Sequence, residues 1–148
     1  MEDENTAKAN GKSLNISSKQ AMEICSFIRK KNIQEAKKIL KEVVLLRYSI
    51  PFKRFNDNLS HKKKKGPARY PVKAAKEINR LLESVEANAQ FKGLGKDLVI
   101  KHLKADFASR PWHSGRQRRI KMKRTNIEII VEEAKKEEPE KKGREVKK

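Results

Sequence analysis

Residues 101–131 read KHLKADFASRPWHSGRQRRIKMKRTNIEIIV. Both ends of this stretch have the period of a strand: Leu103, Ala105 and Phe107 alternate with His102, Lys104 and Asp106, and Ile127, Ile129 and Val131 alternate with Asn126, Glu128 and Ile130. Between them Ser109-Arg110-Pro111-Trp112-His113-Ser114-Gly115 is rich in turn formers, and a basic run from Arg116 to Arg124 follows. The stretch reads as an antiparallel hairpin, residues 98–131, longer than a tight turn requires. Residues 101–124 hold nine Lys/Arg and one acid, Asp106. A two-stranded ribbon has no core of its own and is at best marginally stable in water. So charged an arm is expected to be ordered by something outside the chain, with polyanionic nucleic acid the first candidate. Ile120 and Met122 occupy even positions, whereas Ile127, Ile129 and Val131 occupy odd ones, so one flat strand cannot turn both sets to the same face. Either a bulge near residues 123–125 resets the register, or only the base of the hairpin packs on the core. The second is favoured.

Working outward, the chain has 148 residues, mean hydropathy −0.90 and net charge +19, which bounds it to one domain with a small core. Residues 11–131 carry 30 Lys/Arg against 10 acids, so the basicity belongs to the folded part and calls for a bound counter-charge. The single Cys25 excludes an internal disulfide, the first twelve residues lack a secretory apolar region, and no aliphatic run approaches a membrane span. A soluble intracellular protein with no membrane partner is expected.

Residues 1–12 read as a loose start and Leu14 and Ile16 as a short strand. Ser17 with Gln20 has the form of a capping box, opening a first helix with the stripe Ala21, Ile24, Cys25, Ile28. Asn32 caps a second helix with Ile33, Ala36, Ile39, Leu40, Val43 and Val44. Residues 47–69 lose the helical period and read as a long extended loop; residues 47–73 hold nine Lys/Arg and one acid, Asp57. Pro71 is placed at the first position of a third helix with Ala74, Ile78, Leu81, Leu82, Val85 and Ala89 inward, stopped at Gly93. Residues 132–148 mix Glu and Lys and read as a disordered tail. The expected class is α+β: a small three-stranded antiparallel sheet packed against three helices, with a long protruding β-hairpin.

No catalytic constellation is present. His61, His102 and His113 are scattered and no second cysteine completes a metal site, so neither enzyme activity nor cofactor is expected. The loop and the arm differ from ordinary solvated charge in being one-signed, the pattern that phosphate contacts need. The expected RNA contacts are Lys53, Arg54, His61, Lys62, Lys63, Lys64, Lys65, Arg69 and Lys73 around the loop, and Arg110, Arg116, Arg118, Arg119, Lys121, Lys123 and Arg124 on the arm. Arg outnumbers Lys five to two across residues 110–124, which suits bidentate phosphate contacts. Trp112 at an exposed tip reads as a stacking platform or wedge.

The ordered series AKANGKSLNIS, ISSKQAMEIC, IPFKRFND, GPARYPVKAAKEI, ANAQFKGL, PWHSGR and TNIEIIVEE, spanning residues 7–133, resembles the universal large-ribosomal-subunit protein twenty-two family in its archaeal and eukaryotic branch. The resemblance implies a cytoplasmic structural protein of the large subunit that binds its ribosomal RNA and supports assembly. It implies a single copy rather than a homo-oligomer. It further implies a hairpin whose tip, Ser109, Arg110, Pro111, Trp112, His113, Ser114 and Gly115, lines the nascent-peptide exit tunnel. There the tip would meet the nascent polypeptide and lie opposite large-subunit protein four. Pro111, Gly115 and Arg116 match the family's tip motif, and His61 and Gly66-Pro67 fall where its basic loop has them. A reading of a different class is a DNA-bending architectural protein with Pro111 as an intercalating wedge, which usually requires a dimer.

Overall fold

The computed structural model describes residues 5–134, Asp57 excepted. In chain order the elements are β1 (Thr6–Leu14), α1 (Ser18–Ile28), α2 (Ile33–Val44), β2 (Ile50–Pro51), β3 (His61–Lys62), β4 (Gly66–Arg69), α3 (Val72–Phe91), β5 (Leu98–Phe107) and β6 (Thr125–Glu133). The architecture is α+β. β6 is the central strand of an antiparallel sheet, with β1 on one edge and β5 on the other. One face of the sheet is covered by helices, α3 over β1 and β6 and α1 over β5, with α2 packed on α3.

The helical stripes become the core: Ile24, Ile28, Leu40, Ile78 and Leu82 are fully buried against Ile100, Leu103, Ile127 and Ile129 of the sheet. Each such burial contributes about 1.5–3 kcal/mol relative to exposure. Asn32 caps α2, its Oδ1 accepting from Gln34 N at 2.9 Å. Gly93, at φ +75°, ends α3: its N–H donates to Gln90 O and that of Leu94 to Ala89 O, both at 3.0 Å, while Leu94 packs against the core. Lys37 of α2 is buried but paired with Glu86 of α3, which also accepts from Gln34 Nε2 at 2.6 Å.

Several expectations are corrected. The capping box of α1 does not form. Ser17 is the N-cap but its side chain makes no capping bond. The next residue, Ser18, instead meets Thr125 Oγ1 at 2.8 Å and fixes the start of α1 to the base of the hairpin. Pro71 is the N-cap of α3 rather than its first helical residue. The start of the chain is not loose from residue 6 onward, because Ala7 and Ala9 pair with Val131 and Ile129 as the inner face of β1. At the other end Glu132 and Glu133 belong to β6, and residues 135–148 lie outside the described residues.

Residues 47–69 are not one open loop. β4 pairs with β2 on one side and β3 on the other, and Ile50, Phe52 and Ala68 are buried beneath them. In β5 the apolar phase begins earlier than expected, with Leu98 and Ile100, and a register shift between Ile100 and His102 changes its parity. Leu98, Ile100, Leu103 and Ala105 therefore all face the helices. Regular pairing stops at Phe107 and Thr125. Beyond it lies an irregular ribbon rather than a continuous β-hairpin. There Pro111 lacks a donor, both strands carry cations, and no apolar face is buried.

Candidate nucleic-acid interface

The four consecutive lysines sit at the turn of the β3–β4 hairpin. Lys65 N–H donates to Lys62 O at 3.0 Å across the turn, and Lys64 takes a positive φ of +66°. Lys63 and Lys64 are exposed. Lys62 lies over the Tyr70 ring, 5.7 Å from its centroid. Lys65 folds back over Tyr48 at 3.0 Å and donates to Ser49 O at 3.0 Å, so its ammonium is engaged within the domain. His61, Arg69 and Lys73 are exposed nearby in sequence, on β3, β4 and the first turn of α3.

Lys53 and Arg54 follow β2 on a turn held by an acid that the sequence reading passed over. Glu23 is 4% exposed, and its carboxylate accepts three consecutive backbone N–H groups: Lys53 at 3.2 Å, Arg54 at 2.9 Å and Phe55 at 2.7 Å. The side chains of Lys53 and Arg54 are exposed. Beside them runs a cleft of about 450 Å³, also lined by Arg29, Lys104 and the rings of Phe55 and Phe107. An adjacent cleft of about 430 Å³ is lined by Lys19, Arg110, Lys123 and Arg124, together with the first residues of α1. The structure thus brings Lys53 and Arg54 together at one cleft and Arg110, Lys123 and Arg124 at the next, while the lysine hairpin lines neither. Lys19, Arg29 and Lys104 were missed because they lie on or just after α1 and on β5, outside the loop and the 110–124 run that drew the reading, and only the fold sets them beside the others.

On the arm, Ala108 N–H donates to Arg124 O at 3.2 Å, Met122 N–H to Pro111 O at 2.9 Å, and His113 N–H to Ile120 O at 2.7 Å. A 3₁₀ turn, Gly115–Gln117, forms the apex, with Gly115 at φ +78°. Ser109, Arg110, Pro111, Trp112 and His113 therefore lie along the outgoing side, and only Ser114 and Gly115 of the expected tip enter the end turn. All seven are exposed, as are Arg116, Arg118, Arg119, Lys121 and Lys123. The Trp112 ring is not bare, since Lys121 Nζ stands 4.4 Å from its centroid. Ile120 is 53% exposed and off the core, as the favoured of the two readings of the phase mismatch expected.

The other chemically notable group is quiet. Burial pushes the Cys25 thiol up to about 12, Arg29 offsetting only part of this, so at neutral pH it is a protonated core residue.

The chain matches the family model described as Ribosomal protein L22p/L17e over residues 9–132. It belongs to that family. The match runs from Ala9 in β1 to Glu132 in β6 and includes both basic segments, the 47–73 stretch and the arm. Ribosomal protein L22p/L17e chains are ribosomal proteins, not enzymes. Among the family's archaeal members, the large ribosomal subunit protein uL22 of Methanoculleus marisnigri is 45% identical over 142 residues, covering 90% of this chain and 93% of that one. That of Thermoplasma volcanium is 49% identical over 105 residues, 70% of this chain and 71% of the relative. The Staphylothermus marinus protein is 47% identical over 139 residues, with 86% and 88% covered.

Proposed function

We propose that this chain is a cytoplasmic structural protein of the large ribosomal subunit. In this reading it binds large-subunit ribosomal RNA through the 53–73 segment and the arm, supports assembly, and sends the arm toward the nascent-peptide exit tunnel. There the arm meets the nascent polypeptide beside large-subunit protein four. The observation that carries the RNA part is the one-signed charge of the arm: residues 108–124 hold seven cations, six of them exposed, and no carboxylate. Membership of a ribosomal family supplies the class of polyanion. An arm of eight residues beyond Phe107 reaches roughly 25 Å at about 3.3 Å per residue, enough to pass between RNA helices. One copy per subunit suffices, because the two basic segments are on one chain.

The test is sedimentation of the tagged chain with large subunits, coupled to binding of large-subunit rRNA over a range of salt. Co-migration with the large subunit is expected, with log–log salt dependence of slope on the order of −5 or steeper. Neutralising Lys62, Lys63, Lys64 and Lys65 together should flatten that slope without changing RNA preference. A dimer that bends duplex DNA and does not co-sediment would establish the architectural reading instead.

A further inference from the structure

We propose that Phe107 is a stacking platform for a single unpaired RNA nucleotide whose phosphate sits in the cleft between the start of α1 and the base of the arm. The inference rests on the RNA-binding reading above and names a subsite within it. Phe107 continues the core phase of β5, two residues beyond Ala105 and four beyond Leu103, which are 6% and 0% exposed. Phe107 as a residue is 66% exposed. Strand periodicity would hide a phenylalanine here; instead the sheet delivers it to the surface at the last regular pair before the arm.

Its surroundings are those a nucleotide needs. The ring borders both basic clefts. The cleft of about 430 Å³ is in the size range of small-ligand sites, carries Lys19, Arg110, Lys123 and Arg124, and has no carboxylate in its lining. The second cleft contains two carboxylates besides its cations. Glu23 is committed to backbone N–H groups, and Asp106 pairs with Lys104 at 2.9 Å. The acid-free cleft is therefore where a phosphate goes, and the flat apolar face beside it is where the attached base goes. Phe107 offers no hydrogen-bonding group, so the subsite selects an unstacked base without selecting its identity. An apolar protein segment would use the ring but not four unneutralised cations at its edge.

The experiment uses the full chain and large-subunit rRNA, comparing wild type with Phe107→Ala, Phe107→Leu and Phe107→Trp. Affinity is measured at several salt concentrations, and base reactivity is mapped nucleotide by nucleotide. Phe107→Ala is expected to bind ~10-fold more weakly with an unchanged salt slope, because stacking carries no counterion term. Phe107→Trp should restore binding and Phe107→Leu should not. One unpaired base protected by the wild type should become reactive in the alanine variant. Each variant is checked by thermal melting, which an exposed side chain should leave near wild type. Wild-type affinity in Phe107→Ala, or full recovery by leucine, overturns the platform while leaving RNA binding intact. Absence of wild-type binding to this RNA overturns both.

Discussion

Glu23 offers the most demanding test of how the basic surface is built. Glu23→Gln preserves shape and removes the charge. If the amide oxygen takes the place of Oε1, the bonds from Arg54 and Phe55 survive as neutral ones, and the new NH₂ faces the Lys53 N–H. One bond is lost and two are weakened. With charge-assisted bonds worth ~1.5–3 kcal/mol and neutral ones ~0.5–1.5, the turn loses about 4–5 kcal/mol of local stability. That corresponds to amide exchange faster by roughly 1,000-fold or more. The assay is native-state exchange at Lys53, Arg54 and Phe55, with Leu40 and Val43 of α2 as internal reference. Acceleration confined to the turn, followed by weaker RNA binding, is expected. Unchanged protection of the three amides would refute the reasoning, since burial of Phe52 and the β2–β4 pairing would then hold the turn without Glu23. Equal acceleration in α2 would refute it differently, by making Glu23 a support of the whole fold.

The remaining predictions are local. Cys25 should resist alkylation at pH 8 until the protein is unfolded. The unfolded thiol ionises near pH 9 and the buried one near 12, so stability should fall as pH rises through that window, and Cys25→Ala should remove this component of the slope. Thr125 is fully buried and donates to Ile16 O at 3.1 Å while meeting Ser18 Oγ, so Thr125→Val should cost about 1–3 kcal/mol in denaturant unfolding, and a near-neutral result would contradict the linkage. The hydrogen bond from Lys8 holds the Glu128 carboxyl below its ordinary range. Lys8→Ala should move its titration upward, and any stability it lends is present above the unfolded pKa and lost as pH falls through the lower folded value. An unmoved carboxyl resonance in NMR titration would contradict that pairing.

The helices were legible because each carries a full apolar stripe, and the caps at Asn32 and Gly93 are local chemistry. The sheet was less so, for reasons that packing explains. The inner face of β1 is Ala7, Ala9 and Gly11, small because α3 lies close: a Cβ on Gly11 would stand 2.7 Å from Leu81 Cδ1. Small residues between lysines look like a loose start. The bulge in β5 splits its apolar residues between even and odd positions, so only Leu103 onward showed a period. In residues 47–69 the alternation of Ile50 and Phe52 is interrupted by Pro51, and the buried partner Ala68 comes sixteen residues after Phe52. The basic residues were readable from their sign alone. The clefts were not, because α1, the 53–55 turn, β5 and the arm each supply part, and because Phe107 had the phase of a core residue.

The central claim, that the apex of the arm serves the exit tunnel while the base of the arm and the rest of the basic surface anchor the domain, is tested most directly by shortening the arm in reconstituted subunits. Replacing residues 112–121 by Asn-Gly joins Pro111 to Met122 through a two-residue turn and removes roughly 15 Å of reach. Incorporation into the large subunit and stalling of a nascent chain are then measured separately. The account predicts near-normal incorporation with altered stalling or altered response to tunnel-binding drugs; lost incorporation, with normal stalling in the subunits that do form, would make the arm an assembly anchor and contradict it.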